Sequence, residues 1–154
     1  MIQVRPATII DAKPLAELRW EFRSVRDTPN EAHDAFVRRC TAWMRRELQL
    51  DSTWKAWAAV DDRSQIVGQI WVHTVAKIPN PLAELEKLAY VSNLYVKAPS
   101  RGGTGTKLLE AALAWCRANE IDRVVLWPTK RSVTLYLAHG FSHGGDVMEL
   151  KLQS

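Results

Sequence analysis

Cysteine is scarce in this chain: two in 154 residues, Cys40 and Cys116, with no CxxC pair and no histidine at ligand spacing. That excludes a disulfide framework and a zinc cluster, and it predicts two free thiols and no metal site. Long apolar runs are also missing. None approaches the roughly 18 residues of a membrane-spanning helix, and the opening Met1-Ile2-Gln3-Val4-Arg5 lacks a signal-peptide core. No membrane partner is expected, and the default location is cytoplasmic. A basic run interleaved with aromatics is absent as well, so the net charge of +4 does not point to nucleic acid. It reads as a soluble basic surface with some attraction for anions. Charged residues make up 25% and hydrophobic residues 47% of the chain, which predicts one globular domain over residues 1–154.

Glycine is sparse too, and three of the seven fall together in Ser100-Arg101-Gly102-Gly103-Thr104-Gly105. Before them runs Tyr90-Val91-Ser92-Asn93-Leu94-Tyr95-Val96, whose β-branched and aromatic residues predict a strand closed by Ala98-Pro99. After them Leu108, Leu109, Ala112, Leu113, Trp115 and Cys116 recur at helical spacing, which predicts a helix from about Thr106. A glycine-rich turn at a helix entrance exposes backbone N–H groups, and the helix dipole adds to their attraction for phosphate. Glycine allows positive φ and close approach of a ligand. A Walker loop is not matched, because Thr106-Lys107-Leu108 stands where Gly-Lys-Ser/Thr belongs. The dinucleotide fingerprint fails at Leu108. A turn without any ligand is the plain alternative.

Taken in order, Met1–Ala7 predicts a first strand, Asp11 a helix cap, and Leu15, Leu18, Arg19 and Phe22 a helical face lasting to about Asp27. Thr28-Pro29-Asn30 breaks it, and a second helix is expected over Glu31–Leu50. Trp54–Val60 and Gln65–Val75 predict an antiparallel hairpin around Asp61-Asp62-Arg63-Ser64. After the long helix follow a short strand at Val124–Trp127, a short helix over Lys130–His139 ended by Gly140, and a closing strand at Val147–Leu152. The order β-α-α-β-β-β-α-β-α-β predicts an α/β or α+β fold with mixed strand pairing.

This order, the strand–turn–helix unit from Asn93 to Leu109, and Leu135-Tyr136-Leu137-Ala138-His139-Gly140-Phe141 together resemble the GNAT N-acetyltransferase superfamily over essentially the whole chain. The resemblance implies a mostly antiparallel central sheet flanked by helices. It also implies acetyl-coenzyme A as co-substrate and acetyl transfer to a primary amine of a small molecule or peptide. The family turn reads Arg/Gln-x-x-Gly-x-Gly/Ala; aligned on the helix, Ser100 takes the basic position and Arg101 follows it. Where the family often has Asn after the fifth strand, this chain has Thr129. The implied coenzyme contacts are Leu94, Tyr95, Val96, Arg101, Gly102, Gly103, Thr104, Gly105, Thr106, Thr129 and Ser132. Tyr136 matches the family's general acid, and its phenol is protonated at neutral pH.

The general base stays open. The expected strand carries no carboxylate, which leaves Glu84, Glu86, His73 or a water held by Asn93. Seven tryptophans are many for this length. Trp43, Trp57 and Trp115 read as core, while Trp20, Trp71 and Trp127, with His73, are candidates for an acceptor wall with cation–π capacity. Glu21, Asp27, Glu31 and Asp34 flank the junction of the first two helices and could draw a cationic acceptor. A homodimer is compatible with this reading. The rival from another class is a family member that binds coenzyme A or a protein without catalysis.

Overall fold

The computed structural model describes residues 1–153. Five strands form one sheet in chain order: β1 (Gln3–Pro6), β2 (Trp54–Val60), β3 (Ile66–Ala76), β4 (Lys87–Val96) and β5 (Ile121–Val125). All neighbours are antiparallel except β4 and β5, which run parallel. Helices α1 (Ala12–Ser24) and α2 (His33–Glu47) cover one face, and α3 (Thr104–Ala118) and α4 (Val133–Ala138) lie toward the other.

The pleat sorts the residues between two cores. Ile70, Val72, Ala89, Val91 and Val96 meet the apolar stripe of α3, Leu108, Leu109, Ala112 and Cys116. On the opposite face Ala56, Ala58 and Trp71 meet Leu15, Ala16, Val37 and Met44 from α1 and α2. Each helix thus turns a stripe with 3.6-residue spacing onto alternate residues of the strands.

The β2–β3 hairpin forms where expected, with Asp61 Oδ1 accepting from the amides of Arg63 and Gln65. Other boundaries move for local reasons. α3 starts at Thr104 rather than Thr106, because Gly103 takes φ 103° as its N-cap and Thr104 turns its hydroxyl onto the Ser100 carbonyl, 2.7 Å away. β5 starts at Ile121, earlier than expected, and Leu126-Trp127 lie beyond it. Asp11 precedes α1 but does not cap it through its side chain; the carboxylate instead accepts from the Thr8 amide and from Arg5. Gly140 ends α4 at φ 90°, with the Phe141 amide reaching back to the Tyr136 carbonyl.

The closing strand does not form. Val147–Leu152 is irregular and its apolar side chains are exposed, Met148 at 96%. The alternation that predicts a strand has no ladder partner among the described residues, and an unpaired segment gains nothing from it.

Candidate active site

β4 carries the site because it parts from its neighbour midway. Its parallel ladder to β5 runs from Lys87↔Ile121 to Tyr90↔Val125 and ends there, while β4 continues to Val96. On its other edge the ladder to β3 slips between Trp71↔Ser92 and Gln69↔Tyr95, so two residues of β4, Asn93 and Leu94, stand opposite Ile70. This is a β-bulge. Asn93 sits in the left-handed region at φ 59°, which asparagine tolerates better than most residues. The bulge resets the alternation: Leu94 and Val96 join Val91 toward α3, while Tyr95 turns to α1.

At the end of β4 the chain enters the glycine turn. Gly102 and Gly103 take φ of 107° and 103°, and nothing lies within 4 Å of where a Cβ would stand on either. The amides of Gly102, Gly103, Thr104, Gly105 and Thr106 meet no acceptor among the described residues; the first helical bond runs from Lys107 N to Gly103 O. Consecutive free donors at a helix entrance make an anion-binding concavity. Arg101 is drawn back from it: Nε donates to the Val96 carbonyl at 2.9 Å and the guanidinium lies 5.8 Å from the Tyr95 ring centre. Arg131, which sequence reasoning missed, places a second cation within electrostatic reach of Tyr95.

The side chain of Tyr95 is committed elsewhere. It stacks on Phe22 and donates to Glu21 at 2.6 Å, and burial with that carboxylate pushes its phenol up to about 12. Only its backbone is left for a ligand. Thr129 and Ser132 bind each other, with Oγ atoms 2.9 Å apart and the Thr129 amide on Ser132 Oγ, forming the turn between β5 and α4.

Tyr136 is buried among the α3-side residues with its ring edge-on to Phe141. Its hydroxyl makes no hydrogen bond among the described residues. It is also not sealed in: the single enclosed side-chain polar atom without a partner there is Thr41 Oγ1. Desolvation pushes the Tyr136 phenol up to about 12.

Across the sheet lies a groove of about 750 Å³ between α1, α2 and the strands. Trp71 forms its floor, locked by Gln69: the indole donates to Gln69 Oε1 at 2.8 Å, and Gln69 Nε2 donates to the Leu15 carbonyl. Trp43, Trp54 and Tyr90 join it, with ring centres 5.3–6.3 Å apart; Trp43 is tilted on Trp71, and Trp54 meets Trp43, Trp71 and Tyr90 edge-to-face. Such edge-to-face contacts hold rings in place. Trp127, 65% exposed, packs on Tyr90 outside the groove, and His73 lies against Trp54 with Nδ1 3.2 Å from Thr53 Oγ1. Trp20 is not brought here; it packs on His33 and Phe36 between α1 and α2. Trp43 lines the groove instead of being simple core, whereas Trp57 and Trp115 pack together on the α3 side.

Arg19, Trp54 and Tyr90 are site residues that sequence reasoning did not single out. One signal existed: Arg19 interrupts the apolar stripe Leu15, Leu18, Phe22, and a cation on a buried stripe needs a reason. Its Nη1 donates to Asn93 Oδ1 at 3.2 Å. The four acidic residues expected to attract a cation are otherwise engaged. Glu21 pairs with Tyr95 and Lys97, Glu31 with Arg39, Asp34 with His33, and Asp27 caps the Thr28 amide. Glu84 and Glu86 tie down Asn80 in the loop between β3 and β4.

The geometry defines a class: a splayed, bulged sheet whose central strand leads into an amide-lined turn. The chain belongs to the acetyltransferase (GNAT) family, whose model matches residues 15–141. Among solved structures it is similar to the predicted acetyltransferase from Clostridium acetobutylicum crystallised with acetyl-CoA. That pair shares 20% identity and a TM-score of 0.80 over 99% of this chain and 97% of that one. A GCN5-related N-acetyltransferase from Ralstonia eutropha JMP134 gives 22% identity and a TM-score of 0.79, over 98% and 99% of the two chains. Glucosamine-6-phosphate N-acetyltransferase from Arabidopsis thaliana gives 18% and 0.72, over 99% of each. At these identities the likeness speaks for the fold. No curated protein matches the chain. No helix among the described residues is long and apolar enough to cross a membrane.

Proposed function

We propose that the chain transfers the acetyl group of acetyl-coenzyme A to a primary amine. The observation that carries this reading is the continuity of two features. β4 leaves β5 after Tyr90, and it ends in the run of unpaired amides from Gly102 to Thr106. The residues fit the coenzyme: the amides would hold its pyrophosphate, and the freed edge of β4 about Leu94 and Val96 would run beside its pantetheine arm. When bound, it supplies an acetyl thioester.

The chain's own part is to bind, orient and move one proton. A neutral amine forms the N–C bond to the acetyl carbon, the C–S bond breaks, and the thiolate takes a proton. Tyr136 is suited to give that proton, because its phenol is held protonated far above neutral pH. No carboxylate among the described residues lines the aromatic groove, and Asn93 has its carbonyl oxygen turned to Arg19. The amine therefore surrenders its own proton to solvent, and positioning supplies much of the acceleration. Two free thiols, Cys40 and Cys116, suit a reducing compartment such as the cytoplasm.

Calorimetric titration with acetyl-coenzyme A, followed by thiol release against a panel of amines, tests the reading. Binding with amine-dependent release supports it. Binding without release across the panel would favour a non-catalytic coenzyme-binding module, and absence of binding would refute the assigned turn.

A further inference from the structure

We propose that the acceptor is a free α-amino acid with a large apolar or aromatic side chain, recognised through its carboxylate by Arg19. The inference rests on the acetyl-transfer reading and narrows its acceptor from amines at large to amines with a neighbouring carboxylate.

The charge lining the groove is of one sign. Its charged walls are Arg19, Arg39 and Arg46, with no aspartate or glutamate among the described residues. Arg39 is already paired with Glu31 and lies 5.5 Å over the Phe36 ring, and Arg46 is exposed on α2. Arg19 is different. It is half-buried on the inward stripe of α1, has no carboxylate partner among the described residues, and spends one donor on the neutral amide of Asn93. Arg23 nearby adds repulsion rather than relief. A guanidinium withdrawn from water without an anion is costly, and an arriving carboxylate offsets that cost through its matching fork of acceptors.

Position then links charge to chemistry. Asn93 is the bulge residue of β4, at the point where that strand has already left β5. In an α-amino acid a single carbon separates carboxylate from amine, so a carboxylate on Arg19 sets the amine beside this part of β4. The side chain is left to face Trp43, Trp54, Trp71 and Tyr90, whose rings are held edge-to-face and offer apolar area at little entropic cost. A polyamine would meet three guanidinium groups and no counter-charge. A peptide N-terminus would bring an uncharged amide to Arg19 in place of a carboxylate.

L-phenylalanine and 2-phenylethylamine differ only by the carboxylate, so kcat/KM for the pair, corrected for the fraction of neutral amine, reads the proposal directly. Wild type should favour phenylalanine by about tenfold or more, the size of one charge-assisted contact. In Arg19→Gln that preference should fall to within about threefold, while acetyl-coenzyme A binds as tightly as before, showing the variant to be folded. An equal or reversed preference in wild type would overturn the proposal, as would a preference that survives Arg19→Gln. Turnover of spermidine with neglect of phenylalanine would overturn it too, while leaving acetyl transfer intact. Should no amine release thiol, direct calorimetric titration of the two ligands still decides: phenylalanine binding alone supports the Arg19 site even as the catalytic reading fails, and equal or no binding ends it.

Discussion

At the residue scale, the decisive feature of Tyr136 is that its ring is buried while its hydroxyl is neither hydrogen-bonded nor enclosed. A phenol with a structural partner would be stabilised by it; this one has a free donor to give. Tyr136→Phe keeps the ring and its contact with Phe141, so coenzyme affinity should stay close to wild type. Turnover should drop roughly a hundredfold, the lower end of what a positioned acid contributes. Because burial holds the phenol near 12, the wild-type rate should show no loss from its ionisation up to pH 10. Unchanged kinetics in the variant would make the residue purely structural. Thr41 presents the opposite case, a buried hydroxyl with no partner among the described residues. Thr41→Val replaces it with a methyl of similar volume and should stabilise the fold by about 1 kcal/mol in urea denaturation, the usual cost of such an orphan. A loss of stability would mean that a water satisfies it.

At the scale of elements, the glycine turn and the bulge set what can bind. Gly103 has open space around it but a φ of 103°, so Gly103→Ala tests strain alone and Gly103→Glu adds bulk and negative charge where phosphate would sit. The alanine variant should weaken acetyl-coenzyme A binding in calorimetry, and the glutamate variant should abolish it; equal affinities for all three proteins would remove the turn from the site. This turn was legible in the sequence because glycines, a closed strand and a helical stripe all fell in order. The hairpin was legible for the same reason, Trp54–Val60 being a run of apolar and aromatic residues ended by Asp61-Asp62. The splay was not. Val124–Trp127 read as a strand because it is apolar, yet the ladder stops at Val125 because β4 and β5 diverge there, a tertiary fact that no local pattern carries. Val147–Leu152 misled in the same way: alternation says which face would be buried, not whether a partner strand exists. Arg19 and Asn93 lie 74 positions apart, and only folding joins them.

For the whole molecule, pH dependence of stability follows from groups that folding shifts in known directions. Asp11 is buried with both carboxylate oxygens on Arg5 at 2.8 and 2.9 Å and one also on the Thr8 amide, which holds it below the usual carboxylate range. A depressed acid contributes stability above its unfolded value of about 4, and the contribution is lost as pH falls through the lower folded value. Tyr95 and Tyr136 act at the other end. Both are pushed up to about 12, so their contribution is complete below about pH 10 and is lost between there and 12. His33, raised by its hydrogen bonds to Glu17 and Asp34, adds only a small contribution because solvent screens this partly exposed site, and that contribution is lost as pH rises past its ordinary value. The melting temperature should therefore be highest between about pH 4 and 10, falling on both sides. Asp11→Asn should cost about 2 kcal/mol at pH 7, since it leaves Arg5 and the junction of β1 with α1 without their shared anion. The cost should shrink as pH falls below about 4 and through the lower folded value, where wild type loses the same charge. A variant whose deficit stays constant over that range would show that the Arg5–Asp11 pair anchors the junction by shape alone.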